Sequence, residues 1–234
     1  MHVKDLRGTT AIACGSVIHG LVKRSALLGG TQQGRLDVIN AEMKAFQSAE
    51  NTESRMPELR LDDLVLSGWS TLSGKLVKAA NTRHMLHFVL HLVRAHIPPV
   101  DAFAKSVHKV ITELNNIEAI IYGADMFMTD DELNQLREAW LRVGRHWQYL
   151  RHLSAVAEQN EWQITPKVHY AQHIPEQCAL INARAVQCYQ SESLIGRVAL
   201  VWKSCASGPY EGNIQKSALI KHLVALEVRL CTAT

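Results

Sequence analysis

Three groups of residues in this 234-residue chain have types and spacings that can do chemistry. The first is RHMLHFVLH, where His84, His87 and His91 stand at i, i+3 and i+7 and share one helical face. Imidazoles so placed can ligate zinc or another transition metal. No Asp or Glu lies between Asp63 and Asp101, so the local sequence supplies no carboxylate to complete a site. The reading is therefore a polar flank on a packed helix that binds no metal. The second group is TPKVHYAQH, with His169 and His173 at i, i+4 and Lys167 in the first turn of a helix opened by Pro166. It can hold a metal, meet a phosphate or pack on another helix. It is not HExxH, because Tyr170 stands where the glutamate would be. Glu176 follows Pro175 and can orient either histidine if the chain turns back. The third is CYQSESLIGRV, with Glu192 near a helix start and Arg197 five residues on. A carboxylate there suits a metal ion in phosphoryl transfer, or equally the positive end of a helix dipole.

Other chemistries are excluded or unmarked. There is no GxxxxGK[ST], GxSxG or GxGxxG, and no CxxC pair. Basic residues are scattered. Their densest run, Arg142 to Arg151, includes Arg145, His146, Trp147 and Tyr149. Basic and aromatic residues together can meet nucleic acid. The solvated face of an amphipathic helix accounts for them equally well.

The elements that position these groups are helices. Apolar residues recur at three- and four-residue spacing over Thr10 to Leu28, Arg35 to Glu50, Leu72 to His96, Val100 to Ile121 and Asp130 to about Asn160. Gly29-Gly30 and Pro98-Pro99 supply stops. Thr129 and Glu132 spell a capping box. Leu133, Leu136, Trp140, Val143, Trp147, Leu150 and Leu153 spell the buried stripe behind it. Pro166 to about Leu180 is a further helix that Pro175 should kink or split. Gln190 to Ala206 and Glu211 to Leu230 complete the set. Asn51 to Gly68 reads as a loop with a short helical turn, and Ala183 to Tyr189 as a short extended piece. The expectation is a single all-α domain of seven or eight helices over residues 1–234, with residues 51–70 least regular.

Composition agrees. Apolar residues make up 47% and charged residues 20%, and the formal charge of +3 is too small to prove a nucleic-acid partner. The five cysteines are isolated and odd in number, which suggests reduced thiols inside a cell. The longest run without a charged residue, Gly8 to Val22, is fifteen residues, too short to span a bilayer. The start, MHVKDLRG, is a poor secretory signal. No membrane association is expected.

Four blocks occur in a recognisable order: MHVKDLRG at the start, KAANTRH at 78–84, TPKVHYAQHIPEQ at 165–177 and YQSESLIGR at 189–197. Together they resemble the C-terminal part of CACTA-type cut-and-paste transposases of plants and fungi, and transposon-like reading frames of dinoflagellates. In that family a ribonuclease-H-like core binds two divalent metals through two aspartates and a later glutamate. The resemblance matches Met1-His2 to a Met-His pair that follows an acidic residue, and Glu192 to the late glutamate. The chain departs from the family in having no strands to carry the first two carboxylates. The resemblance thus implies the helical C-terminal part of a larger or decayed transposase, nuclear, without a metal site of its own. A divalent metal enters only if missing sequence supplies a complete core. Glu192 is the one catalytic candidate. Lys167, His169, His173 and Arg197 are the residues to contact DNA. Two alternatives stand beside this: a helical protein-interaction module that contacts another chain, and a metalloprotein in which His84, His87, His91, His169 and His173 converge.

Overall fold

The computed structural model describes residues 8–25, 28–50, 56–64, 69–72 and 79–184. By its internal contacts the chain divides into two units, Met1–Val186 and Gln187–Thr234, and every described residue lies in the first. The fold is all-α, with about 71% of the described residues helical. Seven α-helices appear among them: α1 (Thr9–Arg24), α2 (Gln32–Ala49), α3 (Ala79–His96), α4 (Ala102–Gly123), α5 (Asp130–Val156), α6 (Pro166–Ala171) and α7 (Ile174–Cys178). A 3-10 turn at Leu61–Asp63 is the short helical turn expected in the 51–68 loop.

Helix α1 is the centre of this unit. All its residues from Thr9 to His19 are buried, as are Leu21 and Val22. A helix apolar on every side can satisfy itself only by packing on several neighbours, and α1 contacts α2, α3, α4 and α6. Helices α4 and α5 form the most extensive pair, burying Val107, Val110, Ile111 and Leu114 against Leu136, Trp140, Val143 and Trp147 in one continuous core.

The helix ends follow local chemistry. Thr129 accepts a hydrogen bond from the Glu132 amide at 3.3 Å, and Glu132 accepts one from the Thr129 amide at 2.7 Å, completing the capping box. Asp101 and Thr31 cap α4 and α2. The predicted 166–180 helix is split into α6 and α7, because Pro175 has no amide to continue the first segment. Helix α1 stops at Arg24, four residues before the predicted end. Arg35 Nη1 takes the carbonyls of Val22 and Lys23 at 3.0 and 2.9 Å, doing what further helical amides would have done. Gly29 and Gly30, with φ of 60° and 64°, turn the chain into α2.

Leu72 is also reassigned. It forms an antiparallel bridge with Leu64 instead of opening α3, whose described part begins at Ala79. This segment lies directly on α1, at Gly15. A Cβ there would meet Thr71 Cα at 2.7 Å and Leu72 N at 3.0 Å, so the backbones touch only because residue 15 has no side chain. Of the expected extended piece at 183–189, Ala183 and Arg184 are in a turn and the rest lies outside the described residues, as do the two C-terminal helices.

Candidate functional site

The TPKVHYAQH block is built as a short helical corner. Thr165 caps α6 by accepting from the Val168 amide at 3.4 Å. Val168 and Ala171 turn inward, while His169, Tyr170 and His173 are exposed and Lys167 is half-buried. The His169 and His173 rings meet edge to face, with centroids 5.2 Å apart. His173 Nδ1 lies 3.8 Å from Glu176 Oε2, so Glu176 does turn back to His173.

A cleft of about 280 Å³ opens between α5 and this corner. Its lining includes Arg137, Trp140, Arg145, Gln148, Gln172 and Glu176. Gln172 reaches α5 at Gly144, where a Cβ would lie 2.9 Å from its amide nitrogen. Trp140 is 2% exposed, and its indole N–H is buried with no hydrogen-bond partner. Five of these six residues carry N–H donors, and Glu176 is the single carboxylate. An environment rich in donors suits an oxygen-rich anion. Glu192 and Arg197 lie outside the described residues.

Within the Arg142 to Arg151 run, Arg142, His146 and Arg151 are committed to the fold. Arg142 makes a two-pronged bond to Glu113, at 2.8 Å from Nε and 3.2 Å from Nη2, and a third bond to Glu138. The Glu113 bond is the largest influence on the guanidinium and raises its pKa. Arg151 stacks over the Trp69 ring at 4.5 Å. His146 is held below the usual histidine pKa by burial first and then by the charge of Lys109.

The three α3 histidines share a face but not an environment. His84 is half-buried, and His87 and His91 are exposed. Burial, followed by the charges of Arg83 and His87, pushes the pKa of His84 down. The carboxylate that the local sequence lacks arrives from α2: Glu42 Oε1 lies 2.7 Å from His96 Nε2, and Glu42 Oε2 lies 3.7 Å from His91 Nε2. The expectation of no nearby acid is corrected in that respect, because α2 packs beside α3 across 54 residues of sequence. Among the described residues no group of three or more His, Cys, Asp or Glu is placed to hold a metal, so the five histidines do not converge.

A second centre lies at the far side of α1, and no sequence motif marks it. Glu161 is 0% exposed. Its Oε1 is 2.9 Å from His19 Nδ1, and its Oε2 accepts from Arg24 Nη2 at 2.7 Å. Burial is the largest influence and by itself raises the carboxyl pKa. The hydrogen bonds from His19 and Arg24, with their charges, outweigh it and hold the group below the usual carboxylate value. The other His19 nitrogen, Nε2, is buried without a partner. Next to Glu161, Trp162 sits at φ 54°, a left-handed conformation unusual for a bulky residue. Its amide donates to Ser16 Oγ at 3.0 Å, and its carbonyl accepts from Trp147 Nε1 at 3.2 Å.

No protein-family model, curated protein or solved structure matches this chain.

Proposed function

We propose that the chain is a transposase-derived helical domain that contacts nucleic acid without cutting it, through the cleft between α5 and the α6–α7 corner. The observation that carries this reading is the donor set of that cleft. Arg137, Arg145, Gln148 and Gln172 surround one open space, and His169 and His173 stand exposed on the adjoining corner. Phosphate oxygens are the natural complement of such a surface. The resemblance of the 165–177 block to CACTA-type transposases points to the same corner. The lack of autonomous cutting is supported by where the buried acids among the described residues go. Glu113, Glu118 and Glu161 each pair with an arginine, and Asp130, Asp131 and Glu132 occupy the first turn of α5. Two-metal cleavage needs several carboxylates around ions about 4 Å apart.

The test is anisotropy titration of labelled duplex and single-stranded DNA across a salt series. Binding should weaken linearly in log salt, and Arg137→Ala with Arg145→Ala should lower the slope by about one per lost phosphate contact. Absence of binding at about 50 mM salt, or binding indifferent to both substitutions, overturns the reading. A parallel assay with magnesium and manganese addresses cutting. Metal-dependent cleavage that vanishes in Glu192→Gln would show a complete catalytic site. A second reading, docking of a protein partner, is favoured by Leu141, which is 60% exposed in the lining of the same cleft.

A further inference from the structure

We propose that the cavity beside the buried Glu161–Arg24 pair is a binding site for a small amphipathic carboxylate, independent of the α5–α7 cleft. The cavity has a volume of about 320 Å³, at the lower end of the ~300–1,000 Å³ typical of small-molecule sites. Leu21 and Val17 of α1, Ile97 and Pro98 after α3, and Phe103 and Val107 of α4 give it apolar walls. The polar lining residues are Ser16, Arg24, Ser25, His96 and Glu161, with the bonded Arg24–Glu161 pair as the charged end. Such a body needs an apolar ligand with one polar head.

The charge at that end selects the head. Glu161 is saturated: one carboxylate oxygen faces His19 and the other faces Arg24. It has little left to offer a cationic ligand. Arg24 uses one nitrogen on Glu161 and is 37% exposed along its side chain. A guanidinium carries five N–H donors, so it retains donors toward the cavity. Arg35 lies on the carbonyls of Val22 and Lys23 at the same end of α1 and adds a second positive charge there. A head that accepts hydrogen bonds and carries negative charge complements this end, and a carboxylate does so bidentately.

Two further features mark the place as built rather than incidental. Gly20 lines the cavity, and a Cβ there would lie 3.0 Å from Arg24 Nη2 and 3.9 Å from Glu161 Oε1, so the missing side chain keeps the pair approachable. Trp162, also in the lining, is held at φ 54° by bonds to Ser16 and Trp147. Strain of that kind in a bulky residue concentrates at binding sites.

The experiment titrates the full chain with three naphthalene probes of one shape and different heads: 2-naphthoate, 2-naphthalenemethanol and 2-naphthylmethylamine. Tryptophan fluorescence reports binding, and amide shifts locate it. The expected result is saturable binding of naphthoate, about tenfold or more tighter than the alcohol and the amine. Shifts should centre on Leu21, Arg24, Ile97 and Phe103. Arg24→Gln should erase the preference for the acid, while Phe103→Ala should weaken all three probes alike. If Arg24→Gln does not fold, the probe series on the unaltered chain decides alone. Equal binding of the three heads, shifts centred elsewhere, or no saturation overturns the proposal.

Discussion

Glu161 and His19 are 142 residues apart in sequence, yet their side chains bond at 2.9 Å inside the core. The pair ties the loop after α5 to the middle of α1. A buried carboxylate survives there because the Arg24 guanidinium closes the other oxygen.

Removing one partner should therefore cost more than an average substitution. Glu161→Ala leaves His19 buried and unpaired and should destabilise by about 3 kcal/mol or more. Glu161→Gln keeps the shape and one acceptor and should lose roughly half as much. Chemical denaturation of both variants checks the order. Equal, small losses would show that the triad contributes little.

Gly15→Ala separates helix propensity from packing. Alanine favours a helix interior over glycine by about 1 kcal/mol. The added Cβ would stand 2.7 Å from Thr71 Cα, a backbone atom that cannot swing aside. The clash should win, with a net loss of about 1–3 kcal/mol. Gly34→Ala in α2 meets only Thr31 Oγ1, at 3.5 Å, and should stabilise slightly. Thermal melts of the two variants should move in opposite directions.

Acid should weaken the fold in two stages. His84 and His146 have pKa values below the ordinary 6.5, so the unfolded chain binds protons more readily than the folded one. Their contribution is complete above pH 6.5 and declines as pH falls toward their depressed values. Glu161, held below 4.5, contributes above that pH and loses its contribution as pH falls through its folded pKa. Melting temperature against pH should show both steps. His146→Gln should shrink the upper step, and Glu161→Gln the lower.

Asn182 closes the end of α4. Its side-chain amide donates to the carbonyls of Ile121 at 2.9 Å, Ala124 at 3.3 Å and Asp125 at 2.9 Å, and its backbone amide donates to Met126 at 2.8 Å. Asn182→Ala strands those carbonyls in a buried position and should cost about 2 kcal/mol. Asn182→Asp should be no better, because a carboxylate cannot donate. Hydrogen exchange at the last turn of α4 reads the local loosening directly.

What the sequence by itself determined is what depends on neighbours along the chain. The 3.6-residue apolar rhythm of Leu133 to Leu150, the Thr129–Glu132 box and the proline break at Pro175 each need only a few adjacent residues, and each stands as read. Whether His169 and His173 face solvent or pack on another helix is open in the sequence, and the fold exposes both. Tertiary structure decided whatever joins distant segments. It brought Glu42 to His91 and His96, shortened α1 through Arg35, placed Leu72 in a bridge, and assembled His19, Arg24 and Glu161. Nothing in the flanking sequence of Glu161 distinguishes it from a surface acid. Its burial, its lowered pKa and the cavity beside it arise only when α1 packs against the loop after α5. Periodicity records which face of a helix is apolar; it does not record which polar side chain from another element will meet that face.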